Sequence, residues 1–195
     1  MGSVVMLSLF VGLGNIGAAY SGTRHNVGFE VVRKVAIALK AVLQPATAEY
    51  DWAVARHGDN ETVLMLPRLY MNRSGAAIEA LLQRKELTKS QMLVIVDDVH
   101  LPLGRLRFRR DGSDGGHNGL ASIIETLESE NFARLRLGIG APPDNIDRAE
   151  YVLNRFEREE IEPKEKMITA ATEAVLFAKD HCLDEAMTKY NINPA

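Results

Sequence analysis

The sequence predicts an α/β fold, a single three-layer domain over residues 1–195 with a mixed β-sheet flanked by helices. Three observations carry this prediction. Apolar runs short enough to be strands alternate with segments whose apolar residues recur every three or four positions. Met92–Val96 (MLVIV) is apolar without interruption, as befits a strand covered on both faces. Polar, glycine-rich stretches adjoin these elements, where an α/β sheet presents its ligand contacts.

In chain order, Leu7–Leu13 reads as a buried strand broken only by Ser8 and Gly12. A polar loop follows, carrying Asn15, Tyr20, Thr23, Arg24, His25 and Asn26. From about His25 the residues Val27, Val31, Val35, Ala38, Leu39 and Val42 recur at helical spacing, and Pro45 marks the end of that helix. Trp52–Arg56 and Thr62–Leu66 are strand candidates joined by the turn residues of 58–61. The segment PRLYMNRSG (67–75) then precedes a helix bearing Ile78, Leu81 and Leu82. The MLVIV strand ends in Asp97-Asp98, and Pro102 and Gly104 turn the chain into Arg105–Arg109. There strict alternation puts three arginines on one face and Leu106 and Phe108 on the other. A glycine-rich loop, 112–119, opens a helix with Leu120, Ile123, Ile124 and Leu127. Arg134–Gly140 is a further strand. From Glu157 onwards, Met167, Ala171, Ala174, Val175, Ala178 and Cys182 form the stripe of one long C-terminal helix.

Composition bounds the function. With 46% hydrophobic and 25% charged residues the chain is an ordinary soluble globular protein. The net charge of −3 conceals a basic cluster at 105–110 and an acidic one at 157–165, so a nucleic-acid partner stays open. Cys182 is the sole cysteine, which excludes an intrachain disulfide and points to a reducing, cytoplasmic compartment. No apolar run is long enough to span a bilayer, and the N-terminus lacks the basic region of a signal peptide.

Gly12, Gly14 and Gly17 match the dinucleotide fingerprint G-x-G-x-x-G. That motif needs a helix to start at the glycines and a carboxylate at the end of a second strand. Here the helix is delayed to about His25 and the nearest acid, Glu30, falls inside it. No G-x-S-x-G elbow is present, and the five histidines show neither HxH nor HExxH spacing, so no metal site is expected. What remains is His25 in a polar loop, Asp97 at a buried strand end, and the amides of Asn15, Asn72 and Asn118 in three separate loops. That set suits hydrolysis by water: a histidine takes the proton, a carboxylate supports the imidazolium, and amides bind a developing oxyanion. Each residue also has a structural reading. His25 could be an N-terminal hydrogen-bonding group, Asp97 a turn cap, Met71 a core filler and the arginine face a solvated edge strand.

Taken together, GLGNIG, TRHNVGF, PRLYMNRSG, VDDVHLPLG, GGHNGL and FARLRLGIG resemble, in order, the motifs of the bacterial peptidyl-tRNA hydrolase family, over nearly the whole chain. The resemblance implies a twisted mixed sheet between helices and an enzyme that works without cofactor or metal as a monomer. Its substrate would be peptidyl-tRNA, held by its acceptor stem and 3′ end and cleaved at the ester to the terminal ribose. By position, His25 falls on the catalytic histidine and Asp97 on its partner carboxylate. Asn15, Met71, Asn72 and Asn118 fall on the residues lining the peptidyl-ester channel. Tyr20 falls on the channel's aromatic, and Arg109 and Arg136 on basic positions near the tRNA 5′ phosphate. Ile16, Tyr70 and His100 depart from the family pattern. Two rival functions are an RNA-binding protein without turnover, like the family's plastid splicing relative, and a dinucleotide oxidoreductase.

Overall fold

A computed structural model describes residues 6–58 and 60–191. The strands are β1 (Leu9–Gly12), β2 (Gln44–Pro45), β3 (Tyr50–His57), β4 (Asn60–Pro67), β5 (Met92–Asp98), β6 (Leu106–Arg109) and β7 (Ala133–Gly138). They form one seven-stranded sheet in the order β2-β3-β4-β1-β5-β7-β6. The four central strands, β4, β1, β5 and β7, run parallel, and β2, β3 and β6 are antiparallel to their neighbours. The α/β class and the mixed sheet flanked by helices are as the sequence predicts.

The period of two along each strand divides the core. Phe10, Leu93 and Ile95 point to one face and Leu9, Val11, Val94 and Val96 to the other. The first face is covered by α1 (Val27–Ala38) and α5 (Ile161–Asp180), and the second by α2 (Ser74–Lys85) and α3 (Asn118–Leu127). Two shorter helices, α4 (Arg148–Leu153) and α6 (Leu183–Tyr190), complete the set. The chain leaves β1 for one face and β4 for the other. That reversal at their carboxyl ends is the topological position where α/β sheets bind ligands.

Glycines make the sheet–helix contact tight. A Cβ on Gly12 would run into the backbone of Gly28, and one on Gly28 into the carbonyls of Ile95 and Leu13. Gly12, from the apparent dinucleotide motif, thus serves packing of α1 on β1, with Gly28 as its counterpart on the helix. The helix begins at Val27, well beyond the motif's glycines.

Four local expectations are corrected. α1 stops at Ala38 because the chain turns at Lys40, in the left-handed region, and Val42 lies exposed beyond it. Residues 44–45, placed at a helix end by the sequence, form the short edge strand β2. The long C-terminal helix breaks after Asp180, so Cys182 is the N-cap residue of α6 and not part of the α5 stripe. Arg105 lies outside β6 and binds the Asn191 carbonyl, leaving Arg107 and Arg109 as the exposed arginines of that strand. Helix α4 lies within a region of weak periodicity and its start is fixed by the Asp147 carboxylate, which accepts from the Ala149 N–H.

Candidate active site

His25 sits in a 3₁₀ turn, Arg24–Asn26, that leads directly into α1. Arg24 anchors this turn. Its backbone N–H donates to the Asn154 carbonyl at 3.0 Å, and its buried guanidinium binds the Arg155 carbonyl and Glu160. The same guanidinium lies over the rings of Tyr151 and Phe156 at 4.3 and 4.9 Å. A cation clamped between carbonyl, carboxylate and two aromatic faces cannot swing freely. Its neighbour His25 is consequently held over the end of β5.

There His25 Nδ1 lies 2.8 Å from Asp97 Oδ1, with both groups buried. The same carboxylate oxygen is 3.1 Å from His117 Nε2, and the two imidazole rings stand 4.7 Å apart at a 53° tilt. His117 is the N-cap of α3: its Nδ1 accepts from the backbone N–H groups of Gly119 (3.1 Å) and Leu120 (3.3 Å). An Nδ1 that accepts must be unprotonated, so the His117 proton resides on Nε2 and donates to Asp97. Burial would by itself raise the Asp97 carboxyl, but the charge and hydrogen bonds of His25 and His117 outweigh it and hold the group well below the usual carboxylate range. For His117, burial dominates and pushes the imidazole below its ordinary value, with Asp97 opposing and His25 and Arg148 assisting. An ionised Asp97 accepts only. His25 therefore donates from Nδ1 and keeps a lone pair on Nε2.

His25, Asp97 and His117 also offer donor atoms within 4.8 Å of one another, a grouping with metal-ligand character that sequence spacing does not disclose. The hydrogen-bond directions disfavour that use. His117 Nε2 can ligate a cation only if it loses its proton, which would demand either an imidazolate or the breaking of both cap bonds to α3.

The three amides arrive from three loops at the same end of the sheet. The loop of Asn15 is clasped by Asn26, which accepts from the Asn15 N–H at 2.7 Å and donates to its carbonyl at 2.9 Å. That clasp leaves the Asn15 side chain for other work. Met71 and Asn72 occupy a 3₁₀ turn, Met71–Arg73, at the start of α2, and this turn is tied down by Ser74 Oγ, which donates to the Met71 carbonyl. Gly119 is where the loops meet: a Cβ there would contact Met71 Sδ, Leu13 Cδ1 and His117 Cε1. Met71 is buried, whereas Asn72 and Asn118 are exposed. Tyr20 is half-buried in a separate turn of the Asn15 loop, Ala18–Tyr20.

Arg109 and Arg136 line a common cavity of about 410 Å³, together with Arg134 and the loop residues 110–113. They are not equivalent. Arg109 is exposed on edge strand β6, whereas Arg136 Nε lies 3.0 Å from buried Asp98. Arg134 is fully buried and donates to the carbonyls of Gly112, Ser113 and Glu130, and Arg148 donates to that of Gly115. The glycine-rich loop is thus shaped by arginines on either side.

Of the residues singled out from sequence, His25 and Asp97 are in contact, and Asn15, Met71, Asn72 and Asn118 converge on the same end of the sheet. The turn-cap role open to Asp97 belongs instead to Asp98, whose carboxylate accepts from the His100 N–H at 2.9 Å. The sequence places Arg24 and Asn26 in the polar loop without assigning either a role, and gives no role to His117. All three lie within the quoted motifs GGHNGL and TRHNVGF, beside residues that were chosen, but their spacing carries no signal.

Comparison with known proteins covers the same ground. The family model for peptidyl-tRNA hydrolase matches residues 9–195. A peptidyl-tRNA hydrolase of Synechococcus sp. is 45% identical over 193 residues, covering 96% of this chain and 84% of its own length. One from Aquifex aeolicus is 42% identical, covering 95% and 96%. The crystal structure of peptidyl-tRNA hydrolase from Acinetobacter baumannii superposes with a TM-score of 0.90 at 30% identity, over 98% of this chain and 97% of that one.

Proposed function

The chain belongs to the peptidyl-tRNA hydrolase family and hydrolyses the ester bond of peptidyl-tRNA, and we propose that His25 performs this reaction as a general base on water, with Asp97 as its partner and Asn15 as an oxyanion donor. The observation that carries the reading is the 2.8 Å bond between His25 Nδ1 and Asp97 Oδ1 at the carboxyl end of β5. It fixes the tautomer in which Nε2 is the base.

In this scheme His25 Nε2 takes a proton from a water whose oxygen adds to the ester carbonyl carbon. The carbonyl oxygen gains negative charge and is met by the Asn15 amide. The bond to the terminal ribose oxygen then breaks, and the imidazolium returns the proton to that oxygen. Free peptide and tRNA leave. Asn72 and Asn118 hold the peptidyl portion with Met71 as the apolar floor, and Tyr20 bounds the channel. Arg109 and Arg136 receive phosphate near the 5′ end. The enzyme acts as a single-domain monomer in the cytoplasm, recycling peptidyl-tRNA shed by stalled ribosomes. Among the described residues no helix is long and apolar enough to cross a membrane, and Cys182 is a free thiol.

The test is incubation of the protein with N-acetylated aminoacyl-tRNA and, in parallel, with the unblocked aminoacyl-tRNA. The blocked ester is expected to be cleaved and the free amine form to be spared. Binding of the blocked tRNA with no turnover would contradict the hydrolytic reading and favour an RNA-binding role.

A further inference from the structure

His117 takes part in none of the steps above, yet both of its ring nitrogens are engaged, in opposite senses. Nδ1 accepts two backbone N–H groups at the N-terminus of α3, and Nε2 points at Asp97 Oδ1 from 3.1 Å. The residue that follows it is Asn118, the first of α3. One imidazole thereby connects three things: the helix that carries a substrate amide, the carboxylate under the base, and, through that carboxylate, His25.

We propose that His117 is a positioning residue for the hydrolysis. Its Nε2–H holds the Asp97 oxygen on which His25 rests, and its Nδ1 sets that bond in register with the start of α3. The inference rests on the reading of His25 as the base. The charged and titratable groups around His117 are Asp97 from β5, His25 from the 3₁₀ turn and Arg148 from the α4 side. With its proton confined to Nε2, His117 can donate to Asp97 but cannot compete with His25 for the water proton.

Two substitutions separate the halves of this bond system. Asparagine puts an amide oxygen near the place of Nδ1, so His117→Asn keeps an N-cap acceptor and loses the reach to Asp97. Glutamine puts its amide near the place of Nε2, so His117→Gln keeps a donor for Asp97 and loses the cap. The inference predicts that His117→Asn still folds at pH 7, with a Tm lowered by the donor that buried Asp97 loses, and that the folded variant loses about tenfold or more in kcat with little change in KM. His117→Gln should recover most of kcat while its Tm drops by about 2–4 °C for the missing cap. In the wild type at pH 7, ¹⁵N NMR of the ring should show a neutral imidazole protonated on Nε2.

Wild-type kcat in His117→Asn, or a kcat in His117→Gln as low as in a folded His117→Asn, would overturn the proposal and leave His117 as a helix cap. A ring protonated on Nδ1 would overturn it too. His25→Ala run alongside distinguishes the two levels of failure. If His25→Ala is inactive and His117→Asn is not, only the positioning role falls. If His25→Ala remains active, the reading beneath it falls as well.

Discussion

At the scale of single residues, two adjacent aspartates have been given different work by the pleat of one strand. Asp97 turns toward the α1 side and meets two imidazoles, whereas Asp98 turns to the other face and meets Arg136 and the His100 N–H. Asp97→Asn should therefore lower kcat by roughly 10²-fold or more, in line with triads whose carboxylate is neutralised, while tRNA affinity changes little. Asp98→Asn should act mainly on stability, read as Tm. A larger kcat loss in Asp98→Asn than in Asp97→Asn would reverse the assignment. The depressed titration of His117 has its own consequence. Its unfolded form protonates near 6.5, while the buried native form stays neutral to lower pH. Below about pH 6.5 the unfolded chain thus binds a proton the native state refuses, so stability falls as pH falls through that window. Tm should decline on acidification below pH 6.5, and the decline should be shallower in His117→Asn. An equal slope in both proteins would remove His117 as its source.

At the scale of elements, β6 shows how a sequence pattern was right in kind and incomplete in detail. Strict alternation identified the strand and its inner residues Leu106 and Phe108, both buried. It is also an edge strand, so the reading of a solvated arginine face and that of a phosphate-binding face both fit its position. A measurement separates them. If Arg109 meets phosphate, Arg109→Ala should raise KM for full-length peptidyl-tRNA and flatten the plot of log affinity against log salt by roughly 0.7–0.9. Cleavage of a short nucleotide ester should be untouched. Equal effects on both substrates, or none on either, would dismiss the phosphate role. Arg136→Ala is a less clean probe, because it removes the cation beside the buried Asp98 carboxylate and should also lower Tm. Sequence could not reveal this pairing, since it spans β5 and β7 and depends on their register, with Val96 opposite Arg136.

At the scale of the whole molecule, the fold class was legible because strand and helix periods are set by burial on one face or two, and the chain alternates cleanly between them. What stayed hidden was contact between distant segments. His25 and Asp97 stood out because each borders an apolar element, but nothing local places them 2.8 Å apart, and His117 looked like one more loop histidine. Two helix ends were misjudged, at Lys40 and after Asp180, because apolar spacing runs on there past the point where the backbone turns away. The packing of β1, β5, α1 and α3 is what brings these residues together, and the proposed hydrolysis depends on that cluster. Single-turnover cleavage of a short 3′-nucleotide ester by wild type and His25→Ala measures it without tRNA binding or product release. If His25 is the base, the rate falls by about 10²–10⁴-fold in a variant that melts like the wild type. A near-normal rate in folded His25→Ala would contradict the general-base role of His25.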